Sequence, residues 1–283
     1  MKYENNRPPM AIILADGIGS RFSPLTDKSA KSLLSVGGSV ILERMIRNCL
    51  SCGISQFVLV LGHREDEIKQ FVDKTFRGIR VTYVINDRYR DTNTGYSLMR
   101  ASTVVGTAEF IKLEANVVFD TKILRALVDS NLPNIVCIDR NVVLAGDRVK
   151  VIADEQMRIG EIGKSVDPSI ALGEAIGIEK ISAATGRLLF GELKGMMESV
   201  VSAQDHCEAA YARLVDKGIN FHALDITEMN WRRIDTAEDF AAASAMFGSP
   251  ITTVSRGQQR ALDEASANPQ RSNQAHKSIH PAS

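Results

Sequence analysis

The run MAIILA at 10–15 is apolar throughout and has the length of a strand buried on both faces. A different period follows. Leu42, Met45, Ile46, Cys49 and Leu50 recur at helical spacing, which predicts an amphipathic helix over about 41–52, with Gly53 as its natural stop. The run QFVLVL at 56–61 predicts a second buried strand, 66–74 a helix, and 81–85 a third strand. Helix at 96–101, strand at 110–113, helix at 121–130 and strand at 135–138 continue the alternation. Such alternation predicts an α/β fold: a Rossmann-like mixed, mainly parallel sheet flanked by helices. Ligands are then expected outside the carboxyl ends of the strands.

From residue 148 the strands shorten (148–153, 157–162, 173–181), which predicts a small antiparallel excursion laid against the main sheet. Helices at 183–199 and about 207–217, a strand at 221–226 and a last helix at 237–247 complete the pattern. Beyond Gly248 the chain turns to Ser, Gln, Asn, Pro and Arg, with too few apolar residues to offset the entropy of ordering. The expected organisation is one domain over 1–248, with halves at 10–147 and 148–248. A disordered tail is expected over 249–283. No internal repeat is visible.

Hydrophobic residues make up 44% and charged residues 24% of the 283, an ordinary globular balance. The formal net charge of +0 gives no global field toward nucleic acid or an anionic membrane, so neither is expected as a partner. No apolar run is long enough to span a bilayer. The polar opening, 1–9, lacks the basic-then-apolar layout of a secretory leader. Four cysteines in a chain this long do not read as a disulfide framework, and a cytoplasmic setting is expected. Cys49 and Cys52 form a C-x-x-C pair, but nothing completes a metal site around them; they read as two small residues at a helix end.

Leu14-Ala15-Asp16-Gly17-Ile18-Gly19-Ser20-Arg21 follows the first strand directly. Two glycines let the backbone approach a ligand and aim N–H groups at it, which suits phosphate. Arg21 adds a planar donor fork and Lys31 a compact cation. A lone glycine pair also fits a tight strand-to-helix turn, and the spacing matches neither a dinucleotide fingerprint nor a Walker A loop.

The larger constellation is more specific. Strand, G-x-G-S-R, Pro24-Leu25-Thr26, then Lys31-x-Leu33-Leu34-x-Val36-Gly37-Gly38 and a helix opening at Ile41 resembles the signature of the nucleoside-diphospho-sugar transferase superfamily. That superfamily carries L-A-A-G-x-G-S-R, P-L-T and P-K-x-L-x-x-V-x-G. The polar island Asp91-Thr92-Asn93-Thr94-Gly95-Tyr96-Ser97-Leu98 looks like the T-N-N-x-x-S-L stretch of its phosphocholine and 2-aminoethylphosphonate cytidylyltransferases. Further matches follow in order: 114–120 with G-D-V-V-F-D, Gly163-Lys164 with S-K, 173–178 with G-E-Y-I-G-I, and 231–239 with W-x-E-I-D-T-P-E-D. The likeness covers about 10–247.

The resemblance implies a glycosyltransferase-A-like nucleotidyltransferase fold and a specific division of labour, with 10–147 as the nucleotide-binding half and 148–248 as the acceptor and metal half. Leu14, Ala15, Asp16, Gly17, Gly19, Ser20, Thr92, Asn93 and Ser97 would bind the nucleotide, and Arg21 and Lys31 would be catalytic. Lys164 and Glu174 would face the acceptor, and Asn116 and Asp235 would hold Mg2+. The implied reaction transfers CMP from CTP to a small phosphorylated or phosphonylated acceptor, releasing pyrophosphate; a homodimer is compatible with this. Each residue also has a plain structural reading: Asp235 as a helix cap, Lys164 as a solvated lysine, Thr92 and Asn93 as loop caps.

Three positions depart from the family pattern. Asp16 replaces an alanine and puts a carboxylate in the phosphate loop, so it must turn away, meet a cation or bond the sugar or base. Asn116 replaces the metal-binding aspartate, and Arg233 replaces a glutamate. These keep open a nucleotide-binding sensor or accessory protein. A sugar-1-phosphate uridylyl- or guanylyltransferase would share the phosphate loop but not the patterns at 91–98 and 231–239.

Overall fold

The computed structural model describes residues 8–19, 29–144, 146–198 and 205–248, and the backbone of 278–279. The expected tail therefore lies outside the described residues, apart from that last pair.

The strands and helices follow one another as β1 (Met10–Ala15), β2 (Ser35–Val36), β3 (Ser39–Val40), α1 (Ile41–Ser51), β4 (Gln56–Leu61), α2 (Glu65–Thr75) and β5 (Arg80–Ile85). Then come α3 (Thr94–Val105), β6 (Phe110–Glu114), β7 (Val117–Phe119), α4 (Thr121–Asp129) and β8 (Asn134–Asp139). The remainder is β9 (Lys150–Ala153), β10 (Ile159–Gly163), β11 (Gly173–Ile181), α5 (Ala183–Met197), α6 (Cys207–Asp216), β12 (His222–Asp225), β13 (Trp231–Arg233), α7 (Ala237–Met246) and β14 (Ser278–Ile279).

β1 pairs in parallel with β4 and β6, and β4 with β5, so the centre of the sheet is parallel. Alternation along β1 assigns its two faces. Ala11 and Ile13 pack with residues of α1, α2 and α4, while Ile12 and Leu14 pack with α3, α5 and α6. Both faces are covered, which is why the strand reads as continuously apolar.

The shorter strands form the expected antiparallel excursion, and they do so by extending the main sheet. β11 runs antiparallel between β6 and β8, and also pairs with β9, which pairs with β10. All nine residues of β11 are buried, including Glu174, Glu179 and Lys180. Among the described residues, no helix is long and apolar enough to cross a membrane. Cys49 and Cys52 are free thiols at the end of α1.

Two small antiparallel pairs sit at the carboxyl side of the sheet. β2–β3 turns at Gly37 and Gly38, both with positive φ (59° and 81°). β13 pairs with β7 so that Arg233 lies opposite Val117. α7 begins with a capping box, in which Thr236 Oγ1 accepts from Asp239 N at 3.2 Å and Asp239 Oδ2 accepts from Thr236 N at 2.9 Å. Thr236 rather than Asp235 supplies the cap, which leaves the Asp235 side chain to turn the other way.

Candidate functional site

The carboxyl ends of β1 and β6 open onto a cleft of about 320 Å³. Of the described candidate residues, all but Glu174 line it. Ser20 and Arg21 lie outside the described residues.

β1 delivers the glycine loop. Gly19 has φ 70°, and a Cβ at Gly17 would stand in open space, so the backbone there faces the cleft bare. Asp16 resolves its apparent conflict by turning toward neutral donors. Its Oδ2 accepts from Ser97 Oγ at 2.6 Å and from Asn86 Nδ2 at 2.7 Å. Burial raises the Asp16 pKa, and these two hydrogen bonds partly offset that. Asn86, at the end of β5, also reaches Thr92 Oγ1 at 3.2 Å. It ties the loop after β1 to the segment before α3. Thr92 Oγ1 donates to Arg88 O at 2.7 Å, and Asn93 Oδ1 accepts from Thr94 N at 3.2 Å as the N-cap of α3.

β6 and the β7–β13 pair assemble the second group. Ile234 N donates to Asn116 O at 2.8 Å, which brings the Asn116 and Asp235 side chains together across a separation of 119 residues. Asp235 Oδ1 accepts from Asn116 Nδ2 at 3.2 Å and from Lys31 Nζ at 2.8 Å. Among the described residues, no group of three or more His, Cys, Asp or Glu side chains could cage a metal. One carboxylate beside one amide still fits Mg2+, which is commonly held by one or two carboxylates together with substrate phosphates.

Beside Glu114, Asp147 and Glu208, three cations line the cleft: Arg148, Lys164 and Arg233. Glu174, expected at the acceptor, sits buried behind two of them. Its Oε1 accepts from Arg233 Nη1 at 2.5 Å and Arg148 Nη1 at 3.3 Å. Burial pushes the Glu174 carboxyl up, with both guanidinium groups opposing. For Arg233, burial works against the charge, but Glu114, Glu174 and Asp235 more than restore it. Lys164 is exposed at the cleft edge, and its Nζ lies 2.8 Å from His206 Nε2.

Below the cleft, Lys112 Nζ is wholly buried at 3.0 Å from Glu114, 3.1 Å from Glu179 and 3.4 Å from Glu208. Sequence reasoning missed Asn86, Arg148, His206 and Glu208 as parts of this region. Asn86 carried one usable signal, a polar residue directly after an apolar parallel strand. The others meet only through long-range packing.

Residues 10–134 match the family model described as Nucleotidyl transferase. The chain is 26% identical over 266 residues to the CMP-5'-(3-aminopropyl)phosphonate synthase of Streptomyces rubellomurinus, covering 90% of this chain and 41% of that protein. It is 34% identical over 88 residues to the choline-phosphate cytidylyltransferase of Streptococcus pneumoniae, covering 31% of this chain and 37% of that protein. The matches thus span about two-fifths of the length of these curated relatives. In fold it is similar to the inositol-1-phosphate CTP transferase from T. maritima, with TM-score 0.72 and 18% identity, covering 87% of this chain and 99% of that one.

Proposed function

With a nucleotidyl transferase domain over residues 10–134 as the premise, we propose that the protein transfers CMP from CTP to a small phosphorylated or phosphonylated acceptor of the phosphocholine or aminoalkylphosphonate kind, with release of pyrophosphate. The observation that carries the reading is the meeting of Lys31, Asn116 and Asp235 beside the bare glycine loop. Two sequence relatives whose names specify CMP or cytidylyl transfer support the choice of base.

The acceptor oxygen attacks the α-phosphorus in line, a P–O bond forms, and the bond to pyrophosphate breaks with the electron pair leaving on pyrophosphate. The chain mostly positions groups and meets developing charge. Backbone N–H groups of the 16–19 loop would cradle phosphate oxygens, and Lys31, with Arg21, would face the α-phosphate. Arg148, Lys164 and Arg233 would receive the acceptor's phosphate or phosphonate. Asp235 and the Asn116 amide oxygen would hold Mg2+, which supplies neutralising charge on the phosphates when bound.

The test is pyrophosphate release with Mg2+ and each of CTP, UTP, dTTP and GTP against phosphocholine, 2-aminoethylphosphonate, 3-aminopropylphosphonate and glucose 1-phosphate. Turnover is expected with CTP and an amine-bearing acceptor. Preference for UTP, dTTP or GTP with glucose 1-phosphate would replace this reading by a sugar-nucleotide one, and CTP binding without turnover on any acceptor would leave a sensor.

A further inference from the structure

His206 directly precedes α6 but does not cap it with its side chain. That task falls to Thr94 of α3, whose Oγ1 accepts from Cys207 N at 3.1 Å. The imidazole spans two other contacts. Its Nδ1 lies 3.3 Å from the same Thr94 oxygen, and its Nε2 lies 2.8 Å from Lys164 Nζ. An ammonium group has donors only, so Nε2 must accept. The ring is then neutral, its proton is on Nδ1, and that N–H donates to Thr94 Oγ1.

Lys164 is held from behind as well. Its carbonyl accepts from the buried Lys150 Nζ at 2.6 Å, and Lys150 also donates to Arg148 O at 3.0 Å. One buried lysine therefore pins the backbone of two cleft-lining cations, and His206 fixes the side-chain end of one of them.

We propose that His206 is a positioning residue for the acceptor: in its neutral Nδ1–H form, braced by Thr94, it holds the Lys164 ammonium at the cleft. This rests on the reading of the cleft as a nucleotidyl transfer site. A cation fixed before binding loses less entropy on meeting an anionic acceptor. The charged groups facing the ring are Lys164 from beyond β10, Glu208 of α6, and Glu114 and Lys112 of β6. Burial above all, then Lys164 and Lys112, lowers the His206 pKa against the pull of Glu208 and Glu114. Protonation would put a second donor against the ammonium and release Lys164, so acceptor affinity falls on the acid side.

The test pairs nitrogen NMR of the full chain with kinetics on 2-aminoethylphosphonate. The His206 ring is expected as Nδ1–H, with shifts that respond to Lys164→Ala. His206→Ala is expected to raise the acceptor KM about tenfold, the scale of one lost charge-assisted hydrogen bond, with the KM for CTP unchanged. His206→Gln, which restores an acceptor atom, should recover much of that KM and show a smaller acid-side fall than wild type. The acceptor's own titration affects wild type and variant alike, so the difference between their profiles isolates His206. An unchanged acceptor KM in His206→Ala, acid limbs that coincide in wild type and His206→Gln, or a ring protonated at Nε2 overturns the proposal. If wild type turns over no acceptor, the functional reading has failed and the NMR decides alone: Nδ1–H responding to Lys164→Ala supports the pairing, and anything else overturns it.

Discussion

Lys31 shows how far single residues could be read from the chain. Its place in a K-x-L-L-x-V-G-G run marked it, and its Nζ does reach Asp235 at 2.8 Å. Such a cation belongs where charge develops, and removing one preorganised donor of this kind costs on the order of 10²–10³ in rate. Lys31→Ala is therefore expected to lower kcat by roughly that factor with the circular dichroism spectrum intact; an unchanged kcat would remove Lys31 from the chemistry. Asn116 was legible as a departure, and its contact with Asp235 gives the departure a consequence. An amide oxygen brings no charge to Mg2+. Asn116→Asp is expected to lower the Mg2+ concentration giving half-maximal rate, and a higher requirement would argue against the ligand pair. Asp16 was legible only as a difficulty, because its two donors, Ser97 and Asn86, are 81 and 70 residues away.

At the scale of elements, the strand and helix alternation was read to within about two residues where apolar runs are long and periodic, while α3 (Thr94–Val105) runs six residues longer than the 96–101 expected. The pieces that finish the site were not. β7 and β13 have three residues each, too few to display a period, yet their pairing brings Asp235 to Asn116. β11 carries Glu174, Glu179 and Lys180, and nothing in the sequence marks what they meet; all three are buried, with Glu174 and Glu179 beside cations and Lys180 on main-chain carbonyls. The start of α3 is joined to the segment before α6 through Gly95, whose N–H donates to Asp205 O at 3.3 Å. A Cβ at Gly95 would come within 2.7 Å of that same oxygen. Backbone must then move, at a cost of about 1–3 kcal/mol. Gly95→Ala is expected to lower Tm by several degrees and to raise the acceptor KM, since it displaces His206 from Thr94. A variant with normal Tm and KM would show that this junction has slack.

Across the whole molecule, the cluster around Lys112 joins β6, β11 and α6 under the cleft floor, and it makes stability depend on pH. Three carboxylates surround this one buried ammonium, so they cannot all be charged cheaply. Burial drives Glu179 up to about 8, with Lys112 opposing and Glu208 and Glu114 reinforcing. Glu208 is itself buried, but Lys112 and His206 hold it down at about 2. The two groups have opposite linkage. Glu208 contributes stability that is present above the ordinary carboxylate range and is lost as pH falls toward 2. Glu179 keeps a proton in the folded chain that the unfolded chain has already released, so its linkage lowers stability as pH rises from about 4.5 to about 8. Glu179→Gln removes the second effect while keeping a neutral, hydrogen-bonding side chain of the same size. In urea unfolding, wild type is expected to lose about 2–3 kcal/mol more than Glu179→Gln between pH 6 and pH 9. Equal losses in both proteins would mean that Glu179 is already ionised at pH 6 and that Lys112 alone carries the charge balance of the cleft floor.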